Sequence, residues 1–294
     1  MFFSIVIPLY NKQECISNTL RSVLNQSYEN YEIIVVDDGS TDESKSIVSS
    51  FSDSCIKLIS QDNGGPSCAR NRGIKEASSE FITFLDADDL WEPEYLKEMD
   101  SLIRRFPDAL CWGFNYSSIE NGIVTKPGSK VYSGYFNNKW DFTSFPFCTI
   151  SCCCRKSSLI ELGGFDERMR YGEDLDMWFR LLLAGRGVID SRILAFYNQD
   201  VTDSLMRHKI PLEKHIPYFI DKYADARKNN VAFRRYFDEQ MIFRLYPYLF
   251  DKRYKKAARS LAKKLDYSLL KRSMWFRMEY PYTYRFLRSI KESL

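Results

Sequence analysis

Hydrophobic positions along the first third of the chain change period in a regular way. Ser4–Leu9 is an apolar, β-rich run, and Tyr31–Val36 is apolar at nearly every position, as in a strand covered on both faces. Between them Ile16, Leu20, Val23 and Leu24 recur at helical spacing within 15–25, which predicts an amphipathic helix. The exchange then repeats. Thr41 or Asp42 is placed to cap a helix carrying Ile47, Val48 and Phe51. Strands are predicted at Cys55–Ile59 and Phe81–Leu85, with a turn at Asn63–Pro66 and a helix at Ser67–Ala77 between them. Pro93 lies early in a further helix that runs to about Phe106. Strand–helix–strand units on short links predict an α/β domain with a mainly parallel sheet and helices on both faces.

The pattern weakens from Leu110 to Phe147, where Gly, Asn, Ser and Pro interrupt short apolar patches, so loops and short hairpins are expected. It returns as a strand at Cys148–Arg155, a short helix at Ser157–Leu162, a helix at Leu175–Ala184 capped by Gly185, and a strand at Gly187–Tyr197. Beyond Ile210 the spacing is helical, in a stretch rich in Lys, Arg, Tyr and Phe. Two parts follow: an α/β domain over residues 1–205 and a basic, aromatic-rich helical extension over 206–294.

Composition narrows the class. With 45% hydrophobic and 28% charged residues in 294, a sizeable core forms and whole-chain disorder is excluded. No run approaches the roughly 18 apolar residues of a membrane span. The opening M-F-F-S-I-V-I-P-L-Y lacks a basic segment and a small-residue cleavage site, so it reads as a strand and not as a signal peptide. The net charge of +3 hides an asymmetry: residues 205–294 carry 22 Lys+Arg against 9 Asp+Glu, which leaves a net of −10 on residues 1–204. An acidic body suits cations, and a basic tail suits an anionic surface. Eight cysteines without a C-x-x-C pair read as reduced thiols of the cytosol. Cys152, Cys153 and Cys154 alternate across a strand, and the two histidines are His208 and His215. Zinc is therefore not expected, and the three cysteines are expected to pack as small apolar groups.

In a parallel sheet, ligands bind beyond the carboxyl ends of the strands. Three predicted strand ends carry polar clusters: Pro8-Leu9-Tyr10-Asn11, Asp37-Asp38-Gly39-Ser40 and Asp86-Ala87-Asp88-Asp89. Acidic clusters at neighbouring strand ends repel unless a cation or a polyhydroxyl partner joins them. Carboxylates in D-x-D spacing suit Mg²⁺ or Mn²⁺, which complete their shell with water and phosphate oxygens. Taken singly, D-D-G-S and D-A-D-D are also ordinary turns and helix caps.

The conjunction resembles the inverting family 2 glycosyltransferases, which have the nucleotide-sugar-binding fold called GT-A. S-I-V-I-P-L-Y-N, V-V-D-D-G-S-T-D, N-G-G-P-S-C-A-R-N-R-G, F-L-D-A-D-D-L-W-E-P, G-G-F-D-E and Y-G-E-D-L-D-M-W-F-R carry it, in order, over about residues 3–200. The resemblance implies that Pro8, Tyr10 and Asp38 line the pocket for the base, usually uracil. It implies that Arg70 contacts the base or its phosphates, that Asp86 approaches the ribose, and that Asp88 ligates the divalent metal on the diphosphate. Asp89 is assigned to a helix cap or a supporting contact. Asp174 becomes the general base toward the acceptor hydroxyl and Glu173 its orienting neighbour, although both would also satisfy a helix N-terminus. Asp176 should point elsewhere. Relatives often place a His in a Y-x-x-H pattern after the last core strand; here Tyr197-Asn198-Gln199-Asp200 puts Asp200 there as a substitute metal ligand, with His208 the other candidate.

The implied activity is metal-dependent transfer, with inversion, of a sugar from a nucleotide sugar (a UDP-sugar) to a saccharide hydroxyl in polysaccharide biosynthesis, with a bacterial surface polysaccharide as the type. Lys252-Arg253-Tyr254-Lys255-Lys256, Lys263-Lys264 and Lys271-Arg272 alternate with Ala258, Leu261, Ala262 and Leu265, and Trp275, Phe276, Tyr280, Tyr282, Tyr284 and Phe286 follow. Such a face suits an anionic membrane and a lipid-linked acceptor, at the inner face of the cell membrane. The alternative is that the tail packs on the core or on a twin subunit of a homodimer. Nucleic acid is not expected, because no recognition motif accompanies the charge. The competing functions are a catalytically inactive nucleotide-sugar-binding protein and a membrane adaptor.

Overall fold

The computed structural model describes residues 1–120, 123–125, 134–136, 147–169, 171–200, 210–266, 280, 281 and 283. The chain divides into two compact units, Met1–Asn137 with Thr143–His208, and Asn138–Phe142 with Lys209–Leu294.

In the first unit, β1 (Phe3–Leu9), α1 (Ile16–Leu24), β2 (Tyr31–Asp37), α2 (Ser44–Ser49), β3 (Ile56–Ser60), α3 (Pro66–Glu76) and β4 (Phe81–Phe84) follow the expected alternation. They form a parallel half-sheet in the order β3-β2-β1-β4. Leu9 pairs with Asp37 and Asp37 with Ser60, so the strand ends align along one edge. Alternation along β1 explains the two layers. Ile5, Ile7 and Leu9 join Ile33 and Val35 of β2 and the apolar stripe Ile16, Leu20 and Val23 of α1 in one core. Val6, one residue out of phase, meets α3 on the other face: a Cβ on Gly73 would lie 2.2 Å from Val6 Cγ1.

The rest of the unit comprises β5 (Leu90–Trp91), α4 (Tyr95–Arg105), β6 (Cys111–Glu120), β7 (Ile123–Thr125), β8 (Gly134–Phe136), β9 (Cys152–Arg155), α5 (Lys156–Glu161), α6 (Glu173–Ala184) and β10 (Gly187–Asn198). The sheet continues β4-β9-β6-β10-β5. Strand β9 is antiparallel to both neighbours, β6 and β10 are parallel, and β5, β7 and β8 pair antiparallel. The sheet is thus mixed, its parallel character concentrated in the first half. The largest departure from expectation lies after Leu110, where a ten-residue strand occupies the start of the stretch read as loops and hairpins. Cys111, Trp112, Gly113 and Phe114 are all buried, so the period-2 signal is absent there. Gly113 does not break the strand: a Cβ there would meet the Phe147 ring at 3.0 Å. Pro93 precedes α4, and the predicted strand at Cys148 begins only at Cys152, after a 3₁₀ turn over Thr149–Ser151.

Cys152, Cys153 and Cys154 are buried, and all eight cysteines are free thiols. Cys154 lies opposite Cys111, and Cys153 opposite Trp112. Burial pushes these thiols upward and keeps them protonated, so they pack as apolar groups.

The second unit contains α7 (Ile216–Lys222), α8 (Ala224–Asn229), α9 (Val231–Leu245) and α10 (Lys255–Ala262). Asn230 caps α9 by accepting the Phe233 N–H at 2.9 Å. Tyr223, Phe233 and Phe237 pack ring to ring with centroids 5.5–5.6 Å apart. The buried Asp238 accepts from Arg227 Nε at 2.8 Å and from the Asp266 N–H at 2.7 Å. Burial and the Arg244 charge pull His215 down to about 4, so it is neutral near pH 7. Among the described residues no helix is long and apolar enough to cross a membrane.

Gly73 gives a stability test of the α3–β1 contact. Helix propensity alone would make Gly73→Ala stabilising by about 1 kcal/mol. The 2.2 Å clash with Val6 outweighs that, and a net loss of about 1–3 kcal/mol is expected from overpacking. Urea unfolding of G73A, V6A and the double variant measures it, and the double variant should lose less than the sum of the singles.

Candidate active site

The loops after β1 and β2 are laced together by side chains. Asn11 has φ of +49° and Gly39 of +76°. Asn11 Oδ1 accepts the Thr41 N–H at 2.8 Å, and the Asn11 N–H donates to Ser40 Oγ at 3.1 Å. Ser40 N–H in turn donates to Asp37 Oδ1 at 3.0 Å. The N-cap of α2 is Glu43, neither Thr41 nor Asp42, and it makes no side-chain cap bond; Asp42, one residue earlier, accepts the Ser44 N–H at 3.0 Å, while Thr41 is committed to Asn11. Asp38 is buried, and its carboxylate accepts from Gln61 Nε2 at 2.8 Å, the Gly64 N–H at 2.9 Å and the Gly65 N–H at 2.8 Å. It therefore fixes the N-G-G loop against the end of β2. Pro8 is half-buried within β1, and Tyr10 is 47% exposed beyond its end, leaving an aromatic face at this edge.

Arg70, on α3, joins two other segments. Its Nη2 lies 2.9 Å from Asp86 Oδ1, beyond β4, and its Nη1 lies 2.9 Å from Glu173 Oε1, at the start of α6. The guanidinium is buried, with its carbon 5.4 Å from the centre of the Phe165 ring. Phe165 stands edge-on to Phe84 of β4 at 5.3 Å. Asn71 clamps the Phe165 backbone from both sides: its Oδ1 accepts the N–H at 2.7 Å and its Nδ2 donates to the C=O at 2.8 Å. This explains two sequence blocks together. A-R-N-R-G supplies the bridge, the clamp and the close contact of Gly73, and G-G-F-D-E supplies the ring beneath the bridge.

The acidic turn after β4 is compact, with Asp89 N–H donating to the Asp86 C=O at 3.0 Å. Asp88 Oδ2 pairs with Lys12 Nζ at 2.7 Å, both side chains mostly buried. Burial pushes the Asp88 carboxyl up, against the pull of Lys12. Asp89 is fully buried; its Oδ1 accepts the Asn198 N–H of β10 at 2.8 Å, and its Oδ2 has no hydrogen-bond partner among the described residues. Burial, Asp86 and Asp88 push its carboxyl well up. Asp89 thus ties β4 to β10, a supporting contact and not a helix cap.

Gly172, with φ of +76°, turns the chain into α6, whose first turn carries Glu173, Asp174 and Asp176. Burial and Asp174 push Glu173 up, and Arg70 opposes them. Asp174 Oδ1 accepts the Leu175 N–H at 2.7 Å, which orients the carboxylate. Asp176 points away as expected, buried and paired with Arg180 Nε at 2.8 Å. Burial and the charges of Asp89, Asp174 and Asp86 all push the Cys148 thiol up. Cys148, burial and Asp174 push the Tyr116 phenol up to about 12. One neighbourhood therefore holds the acids of the β4 end, the α6 start, Cys148 and Tyr116.

The expected residues divide accordingly. Asp86, Asp88, Arg70, Glu173 and Asp174 converge, whereas Asp38 serves the adjacent loop. Both terminal nitrogens of Arg70, expected at the base or its phosphates, are engaged by carboxylates. Asp200 follows β10, exposed, its N–H donating to Asn198 Oδ1 at 3.1 Å. His208 lies outside the described residues. Among the described residues no three His, Cys, Asp or Glu side chains are grouped to hold a metal. The hard oxygen donors of Asp86 and Asp88, with Asp89 Oδ2 lacking a partner among the described residues, still fit Mg²⁺ or Mn²⁺, which take one or two carboxylates and complete the shell with phosphate and water. Lys12, Asn71, Cys148 and Tyr116 were not singled out from the sequence. Only Asn71, inside a recognised block, carried a local signal.

Residues 4–163 match the family model described as glycosyl transferase family 2. An uncharacterized glycosyltransferase of Rickettsia typhi is 31% identical over 65% of this chain and 62% of its own length. The Escherichia coli UDP-Glc:alpha-D-GlcNAc-diphosphoundecaprenol beta-1,3-glucosyltransferase WfgD is 34% identical over 61% of this chain and 69% of its own. The chain thus spans less than two thirds of the Rickettsia relative. A crystal structure of S. aureus TarS in complex with UDP-GlcNAc superposes with a TM-score of 0.67 at 19% identity, covering 89% of this chain and 70% of that one. That likeness establishes a GT-A-like fold.

Removing Arg70 tests the bridge. Arg70→Met leaves Asp86 and Glu173 without their counter-charge, and a loss of about 3–5 kcal/mol is expected near neutral pH. Glu173 is already raised, and losing Arg70 raises it further. Its folded form then holds a proton that the unfolded chain has released, so its penalty grows as pH rises through the unfolded value and shrinks as pH falls. Urea unfolding near pH 5 and pH 7.5 should show the smaller deficit at the lower pH.

Proposed function

The chain belongs to glycosyl transferase family 2, and we propose that it moves a sugar from a UDP-sugar to a hydroxyl of a lipid-linked saccharide, inverting the anomeric centre. The observation that carries this reading is the Arg70 bridge, which holds Asp86 at the donor-side strand end and Glu173, beside the base Asp174, at one spacing. Support for the donor comes from the TarS fold match in a UDP-GlcNAc complex, and for the acceptor from the name of WfgD.

Pro8, Tyr10 and the loop held by Asp38 receive the base, and Asp86 the ribose. Asp88 holds Mg²⁺ or Mn²⁺, with Asp200 the proposed further ligand. The metal, when bound, supplies electrostatic stabilisation of the departing diphosphate. Asp174 takes the proton of the acceptor hydroxyl, and the hydroxyl oxygen attacks the anomeric carbon opposite the diphosphate. The bond from that carbon to the diphosphate oxygen breaks, and its electron pair leaves with UDP. The Leu175 N–H keeps the Asp174 carboxylate in one orientation, and Arg70 holds Glu173 alongside. No covalent intermediate with the protein is required, in contrast to a retaining double displacement.

In this reading residues 1–205 are the transferase domain, and the basic extension 206–294 meets an anionic membrane surface from the cytoplasmic side. Lys252, Lys256, Arg259 and Lys263 are exposed on and beside α10. Lys271, Arg272, Trp275, Phe276, Tyr282, Tyr284 and Phe286 lie outside the described residues. Eight free thiols suit a reducing compartment.

Two outcomes are expected. Asp174→Asn should lower kcat about 100- to 10,000-fold while UDP binding by calorimetry is unchanged; retained turnover would reject Asp174 as the base. Flotation with anionic vesicles should capture the protein at low salt and release it near 1 M salt, with each of the four exposed cations contributing about 1 kcal/mol. Salt-insensitive capture or none would remove the membrane reading.

A further inference from the structure

Lys12 is anchored through its backbone. Its N–H donates to Ser44 Oγ at 2.7 Å, and its C=O accepts the N–H groups of Cys15 at 3.0 Å and Ile16 at 2.9 Å, at the entrance to α1. From this anchored backbone the side chain reaches Asp88 Oδ2 at 2.7 Å, with side-chain exposures of 19% and 16%. Asp86, two residues before Asp88, has its own cation in Arg70. Asp89 has the Asn198 N–H. Lys12 is therefore the counter-charge of the carboxylate assigned to the metal.

We infer that Lys12 is a resident counter-ion that competes with the divalent cation for Asp88 and makes metal binding depend on the nucleotide. The inference rests on the metal proposed at Asp88. An ammonium hydrogen-bonded to Oδ2 and a divalent cation on the same carboxylate repel one another at a separation where the site is largely shielded from water. In the donor-free protein the cation must displace Lys12, and the released ammonium loses its 2.7 Å ion pair with Asp88. A nucleoside diphosphate changes that balance, because its oxygens supply negative charge to both the metal and the displaced Nζ. Metal and diphosphate should thus strengthen each other's binding by the same factor. The anchored backbone lets Nζ move by rotating its own side chain, without moving the loop that carries Tyr10.

The test is Mn²⁺ titration followed by electron paramagnetic resonance, without nucleotide and with UDP. Lys12→Met keeps the length of the side chain and removes the charge. It should bind Mn²⁺ without nucleotide about tenfold more tightly than the parent, and UDP should then add less. Lys45→Met removes an exposed charge on α2 and should leave Mn²⁺ affinity near that of the parent. Equal or weaker Mn²⁺ binding by K12M, or the same gain in K45M, overturns the inference. Asp88→Asn separates this from the underlying reading: if it binds Mn²⁺ with UDP as the parent does, the metal is not at Asp88. If it loses Mn²⁺ and K12M does not differ from the parent, only the role of Lys12 fails. A second measurement uses the unaltered protein. Lys12 labelling by an amine-reactive reagent, read by mass spectrometry, should rise when Mg²⁺ is added alone and fall when UDP joins it. No change on adding Mg²⁺ also counts against displacement.

Discussion

One buried guanidinium fixes the geometry on which the site depends. Arg70 belongs to α3, yet its two terminal nitrogens grip acids from segments 16 and 103 residues further along the chain. A planar fork binding two carboxylates at 2.9 Å sets both direction and distance. The ring of Phe165 supports one face of the fork, and Asn71, the next residue on α3, clamps the Phe165 backbone. The acid beyond β4 and the acid at the start of α6 are thus tied to each other through one side chain.

Charge sets the second constraint. Asp86, Asp88, Asp89, Glu173 and Asp174 gather where the structure supplies Arg70 and Lys12 as cations. Burial, with like charges adding to it, outweighs the cations at Asp88, Asp89 and Glu173 and pushes all three carboxyls up. Adding a diphosphate alone would worsen the imbalance of charge. The excess acid favours a cation at the recess, and a divalent cation there would supply the counter-charge that a diphosphate needs.

The parallel half of the sheet was legible in the sequence because each of its strands is short, apolar and followed by turn chemistry. The strand β6 was not, because its first four residues are buried, and burial on both faces erases alternation while Gly113 imitates a break. The acids were legible through their motif spacing at strand ends. Their partners were not: Lys12 and Asp88 are 76 residues apart, and no local pattern marks which cation will reach which acid. Arg70 illustrates the same limit from the other side. Its block was read as contacting the base or its phosphates, and two protein carboxylates occupy the nitrogens expected to do so.

Reading such acids as either structural or functional sets up a false choice. Asp38 carries three hydrogen bonds that hold the Gln61–Gly65 loop, and that loop borders the edge proposed for the base. Asp174 gives one oxygen to the Leu175 N–H, which satisfies an orphan donor of the helix start. That same bond restrains the carboxylate beside Glu173. For the base role proposed for Asp174, such orientation removes a search that the reaction would otherwise include. One bond therefore satisfies a donor of the helix start and holds an acid of the recess. The contrast with Asp176, two residues on, shows what decides between outcomes: it shares the helix turn and the charge, but Arg180 and complete burial commit it to the fold.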